Sequence, residues 1–189
     1  MSEELVLDSL RRRMRAMFSL YEEATATMNA AQVNHREREG VLPMAFSLFH
    51  FINLADTASA ALMGGPPLWD ASWESRIQPG IADHGKHRTV AEMQHQQIGD
   101  FPAFIEYMKA VFARIETWLA KLAPPELGRV MVQRPFPPQL ASTFSARVAG
   151  DQGITVLDGI ECWIYQHGLR HMGEIELARS FVGLQGMTS

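Results

Sequence analysis

Apolar positions along the chain fall into four periodic stretches separated by breaks rich in Gly and Pro. Leu7, Leu10, Met14, Met17, Tyr21, Ala24, Met28 and Ala31 recur at alternating steps of three and four. Those steps return to one face of an α-helix, so they predict a long helix near 4–34 with Arg, Glu and Gln on its other faces. The second stretch, near 43–63, carries Met44, Phe46, Leu48, Phe49, Phe51, Ile52, Leu54, Ala58 and Leu62, which point all round the helix. A helix apolar on every side is buried on every side, either deep in a bundle or at a subunit interface. Gly64-Gly65-Pro66-Pro67 ends it.

A third helix is predicted near 90–122. Thr89 and Glu92 have the spacing of a capping box, and Ile98, Phe104, Met108, Val111, Ile115 and Leu119 supply the apolar face. Pro102 either kinks this helix or marks a restart after Asp100. The last helix is predicted near 155–183, opening on Thr155 as cap and closing at Gly183. Its stripe contains Val156, Ile160, Ile164, His167, His171 and Ile175. Between helices the sequence predicts an irregular stretch over 64–98 and a long connection over 124–153, with short strands at 130–133 and 144–148. The expected fold is all-α: an antiparallel four-helix bundle forming one domain over 1–189. The long connections after helices two and three would cover one end of it.

Composition narrows the function. The chain has 189 residues, 47% apolar and 20% charged, with a net charge of −4. A mildly acidic chain lacks the electrostatic footprint of a nucleic-acid binder. Its one basic cluster, Arg11-Arg12-Arg13 with Arg15, lies opposite the apolar seam and reads as a solvated helix face. No apolar run is long enough for a membrane span, and the acidic start MSEELVLDSL lacks the layout of a signal peptide, so a cytoplasmic location is expected. The single cysteine, Cys162, excludes an intramolecular disulfide. In α-helical geometry it lies about 140° from His167, the position of a small core residue and not of a shared ligand.

The chemistry concentrates in His167-Gly-Leu-Arg-His171. Residues four apart share a helix face, and two imidazoles so placed can ligate one ion. The same spacing also fits one paired core histidine and one near the helix end. The buried stripe sharpens the case, because an imidazole there must be paired or ligated. Gly168 beside them would let another backbone approach. His50 meets the same cost inside the most apolar helix. Three histidines from two helical faces would make a site suited to Zn, Ni or Fe with open positions for water or substrate. Glu174 could serve as fourth ligand, general base or partner of His171, and Asn53 could orient substrate; both also fit ordinary polar contacts. Tyr21 interrupts the first seam and either packs there or points its hydroxyl toward the site. His84 and His87 read as surface-loop residues. Glu92 and His95 form a lone ExxH, where a di-iron bundle needs two.

SLFHFINLAD in the second helix and IYQHGLRHMGEIELARSFVGLQG in the last resemble DinB-like superfamily proteins. The resemblance implies a four-helix bundle in which His50, His167 and His171 occupy the metal-ligand positions. It further implies a divalent metal ion, a homodimer, and a thiol-dependent transferase or isomerase using a small thiol such as bacillithiol or mycothiol. Physically, a cation lowers a thiol pKa and holds the thiolate. Metal-dependent hydrolysis of a small-molecule substrate fits the same site. The competing expectation is a non-catalytic, stress-related bundle that binds a metal or a small apolar ligand.

Overall fold

A computed structural model describes residues 2–186; residue 1 and residues 187–189 of the expected 1–189 domain lie outside the described residues. The chain is mostly helical. Helix α1 spans Glu3–Ala26, capped by Ser2, and buries the seam from Leu7 to Ala24. The seam does not continue as one helix to residue 34. The Asn29 side chain and Gln32 form a reciprocal capping box that opens a separate short helix α2, Ala30–Val33. The buried Arg179 guanidinium closes α1 by donating to the Ala24 carbonyl at 2.6 Å. Local capping thus outweighs two further apolar positions.

Helix α3 spans Met44–Met63 and ends on Gly64 in the left-handed region. Its residues are buried on nearly every side by the rest of the same chain. The all-round apolar pattern therefore calls for no second copy to cover it, which removes the sequence-based motive for a homodimer. Helix α4, Ala71–Ile77, lies in the stretch expected to be irregular.

The helix expected over 90–122 is two. Val90–Met93 forms the short α5 on its Thr89–Glu92 capping box. Helix α6 starts afresh at Phe101–Lys121, where Asp100 accepts from Ala103 N and Pro102 occupies the first turn. Proline there costs no hydrogen bond, whereas deeper in a continuous helix it would remove one and clash with the preceding turn.

Strand β1, Val130–Gln133, forms as expected but pairs antiparallel with β2, Gly153–Thr155. The stretch expected as a strand at 144–148 is instead helix α8, Phe144–Val148, preceded by α7, Pro138–Ala141. Thr143 caps α8 by accepting from Ala146 N, and Arg134 donates to the carbonyls of Ala146, Ala149 and Gly150. Those carbonyls are engaged by a guanidinium, not by a neighbouring strand.

The final helical rod runs through α9, Val156–Gly159, a π-helical segment, Ile160–Tyr165, and α10, Gln166–Phe181. The Thr155–Asp158 capping box opens it. Helix α1 packs on α6 and α10, and α3 packs on the same two, with the α3–α10 contact the most extensive of these. One core fills the space between them, centred on Tyr21, Phe49, Phe51, Phe104 and Tyr107. The basic cluster on α1 divides: Arg12 and Arg15 stay solvent-exposed, as expected, while Arg11 and Arg13 are used inside the fold. Arg11 caps the end of α6 through the carbonyls of Leu119, Ala120 and Leu122, and Arg13 pairs with Glu161 at 2.6 Å. No helix among the described residues is long and apolar enough to cross a membrane.

Candidate functional site

The α3–α10 contact brings His50, His167 and His171 together. His167 Nε2 lies 3.2 Å from His50 Nε2 and 2.9 Å from His171 Nε2. Among the described residues these three form the cluster of potential ligands that converges within 4.8 Å. An ion held at about 2.1 Å from both nitrogens of either pair would subtend an N–ion–N angle of about 90–100° there.

The outer nitrogens decide which tautomers face inward. His171 Nδ1 lies 2.7 Å from Glu174 Oε2. His50 Nδ1 contacts the backbone carbonyl of His84. Carboxylates and carbonyls only accept, so both Nδ1 atoms carry the proton and both Nε2 atoms turn a lone pair to the centre. The third imidazole can donate its one Nε2 proton to only one of them well. Its own Nδ1 is buried with no partner. Three lone pairs converging on one point are better satisfied by a cation than by each other, so the donor set fits a divalent metal.

Electrostatics agree with that donor set. Burial lowers the pKa of His50 to about 4. Burial, with the neighbouring His171 and His50, lowers that of His167 to about 3. Both rings are therefore neutral at physiological pH, the form that ligates. Glu174 is held down to about 2, chiefly by its hydrogen bond with His171.

Glu174 Oε2 also accepts from Ser47 Oγ at 2.7 Å. The carboxylate thus grips His171 from the side away from the other histidines and is itself anchored to α3, where it orients the ring. Asn53 is buried toward Tyr107 and is absent from the cavity lining beside the histidines. The Tyr21 hydroxyl donates to the Gly168 carbonyl at 2.7 Å, next to His167 in sequence but directed at backbone. Gly168 itself does not admit another backbone. A Cβ there would meet the Met17 Sδ atom and, at 2.7 Å, the ring of Phe51, so the missing side chain lets α10 settle on two core side chains.

Sequence reading missed the loop over 79–88. It lies over α3 and delivers the His84 carbonyl to His50. Gly85 makes this approach feasible: its φ is +72°, and a Cβ would stand 2.9 Å from the Phe46 ring, which in turn stacks on His50. The signal available in the sequence was the glycine between two polar residues, which marks a turn but not its neighbour.

A cavity of about 290 Å³ opens beside His50 and His167. α3 supplies Leu54; the 79–88 loop, Lys86; the segment between β1 and β2, Leu140 and Thr143–Ser145; and the last rod, Cys162, Trp163 and Arg170. The two long connections are thus walls of one cavity. Cys162 reaches it because the rod is π-helical at Ile160–Tyr165. There i→i+5 bonding puts more residues in each turn than an α-helix has, which turns Cys162 toward the side of His167, and both line the cavity. The thiol is half-buried, not a core residue, and burial with Asp158 and Glu161 raises its pKa to about 11. It stays protonated at neutral pH and lies outside the converging cluster.

A mostly helical chain that gathers three imidazoles beside a cavity defines the class of helical proteins with a metal-competent site. The model of the DinB superfamily matches residues 13–175, and the chain belongs to that superfamily. The chain is also similar in structure to a solved protein described as the crystal structure of the conserved protein of locus from Enterococcus faecalis. The TM-score is 0.74 at 17% identity, over 97% of this chain and 99% of that one. At that identity the likeness establishes the fold alone. No curated protein matches the chain in sequence.

Proposed function

We propose that His50, His167 and His171 hold one divalent metal ion (zinc, nickel or iron) through their Nε2 atoms. The chain would then be a metal-dependent enzyme acting on a small molecule, as a thiol S-transferase, isomerase or hydrolase. We further take the four long helical segments as an antiparallel four-helix bundle that carries this site between its second and last helices. The observation that carries the reading is the convergence of three Nε2 atoms, two with outer nitrogens already tied to acceptors.

Bound there, a divalent ion supplies Lewis acidity and lowers the pKa of a thiol or water. The protein's own groups do the rest. The His84 carbonyl and Glu174 hold protons at the outer nitrogens of His50 and His171, which keeps the inner lone pairs aimed. Trp163, Phe144, Leu54 and Leu140 line the cavity with apolar surface that displaces water. What favours an enzyme over a purely structural ion is the position of Glu174. It lies behind His171 and closes no coordination position, while the cavity adjoins His50 and His167.

The test has two parts. Untagged protein should carry close to one equivalent of metal by elemental analysis, and His171→Ala should lose it with helical content unchanged by circular dichroism. The loaded protein should also accelerate conjugation of a thiol to 1-chloro-2,4-dinitrobenzene, or hydrolysis of p-nitrophenyl acetate, and His171→Ala should not. Stoichiometric metal retained in the triple-alanine variant, or equal rates in both proteins, would defeat the reading.

A further inference from the structure

The cavity wall carries two cations and no carboxylate: Lys86 from the 79–88 loop and Arg170 from α10. Neither has an ionic or side-chain hydrogen-bond partner among the described residues. The acidic groups near them are engaged elsewhere. Asp83 pairs with Arg88, Glu174 holds His171 and Ser47, Glu161 pairs with Arg13, and Asp158 caps the last rod. Chain geometry roots both exposed side chains near the histidines. Arg170 follows His167 by three residues, one turn on along the same side of the helix. Lys86 follows by two the residue whose carbonyl grips His50. Facing them is an apolar wall that includes Leu54, Leu140, Phe144 and Trp163.

We infer that this cavity binds a small amphipathic carboxylate, its anionic group held by Lys86 and Arg170 and its apolar body against Trp163 and Phe144. The inference rests on the reading of the cavity as the substrate site and names the substrate class for it. A neutral molecule would gain nothing from either cation. A carboxylate gains charge-assisted hydrogen bonds, and the planar guanidinium of Arg170 matches its two oxygens. The arrangement of an apolar lining with a few convergent polar groups is that of a selective small-molecule site. A divalent ion at the histidines adds positive charge to the same cavity and strengthens the preference.

Calorimetric titration of the zinc-loaded full chain with 3-phenylpropanoate and its uncharged amide, 3-phenylpropanamide, tests this. The carboxylate should bind about tenfold tighter than the amide, with the gap shrinking as salt is raised. Lys86→Gln and Arg170→Gln should each weaken the carboxylate, and the double variant should lose most of the discrimination, with amide affinity and zinc content unchanged. Equal binding of the two probes, undiminished discrimination in the double variant, or no binding of either at millimolar concentration overturns the inference. His171→Ala separates it from the metal proposal. Zinc-free protein that still prefers the carboxylate through Lys86 and Arg170 leaves the inference standing whatever becomes of the metal. Loss of that dependence with zinc intact removes the inference alone.

Discussion

Replacing Glu174 tests how the site is held together. Its Oε2 atom accepts two hydrogen bonds of 2.7 Å, from Ser47 Oγ on α3 and from His171 Nδ1 one turn earlier on α10. Glu174→Ala leaves the buried Ser47 hydroxyl without its partner and frees His171 Nδ1. The ring then loses both its orientation and the bias that keeps the lone pair on Nε2. Groups that orient a ligating histidine are typically worth about 10- to 100-fold in metal affinity, or roughly 1.4–2.7 kcal/mol. Glu174→Gln keeps an oxygen in place and loses only the charge, so its effect should lie between wild type and Glu174→Ala. Ser47→Ala leaves the carboxylate charged and on His171, and should cost less than Glu174→Ala. The assay is zinc competition against a chromophoric chelator at neutral pH, with helical content monitored in parallel. Affinity of Glu174→Ala within twofold of wild type would show that the carboxylate does not orient the ring. A loss as complete as that of His171→Ala would instead make Glu174 a ligand itself.

Other outcomes follow from the same geometry. The metal-free protein should lose stability in acid through its neutral histidines. The contribution is fully present above the unfolded pKa near 6.5. It falls as pH drops toward the lowered values of about 4 for His50 and about 3 for His167. By pH 4 the loss should be roughly 3 kcal/mol for each, seen as a pH-dependent denaturant midpoint that flattens in the His50→Leu/His167→Leu variant. A wild-type midpoint no more pH-dependent than that of the variant would refute the assignment. Asp56 is fully buried and accepts from Leu68 N, Trp69 N and the Tyr107 hydroxyl, with Arg114 beside it. Asp56→Ala should cost about 3–5 kcal/mol by denaturant unfolding; a loss below about 1 kcal/mol would contradict the network. Gly85→Ala combines a positive φ with a clash against Phe46. It should destabilise by about 1–3 kcal/mol and weaken zinc binding by displacing the His84 carbonyl, whereas wild-type affinity would separate the loop from the site. Cys162→Ser should retain full metal stoichiometry, since the thiol lies outside the converging cluster; loss of the ion would place Cys162 in its shell.

Periodicity by itself determined the four long helical stretches, because burying one face of a helix writes a repeat that needs no partner to be read. Capping was equally legible where donor and acceptor are three residues apart, as at Thr89–Glu92 and Thr155–Asp158. The three histidines stood out for a related reason: imidazoles amid apolar neighbours are costly unless paired, and that cost is visible locally. What surrounds them was decided only in three dimensions. The 144–148 stretch has the composition of a strand, yet it is helical because Thr143 caps it and Arg134, ten residues upstream of Phe144, takes its terminal carbonyls. The orienting partners of the histidines come from far along the chain, Ser47 through Glu174 and the His84 carbonyl through a turn at Gly85. A backbone carbonyl leaves no mark in a sequence. The π-helical segment changes which residues share a face, so Cys162 moves from a predicted core position to the cavity wall. Patterns set by nearest neighbours survive in one dimension. Contacts set by packing between distant segments, and the cavity with its two cations, exist only once the chain has closed on itself.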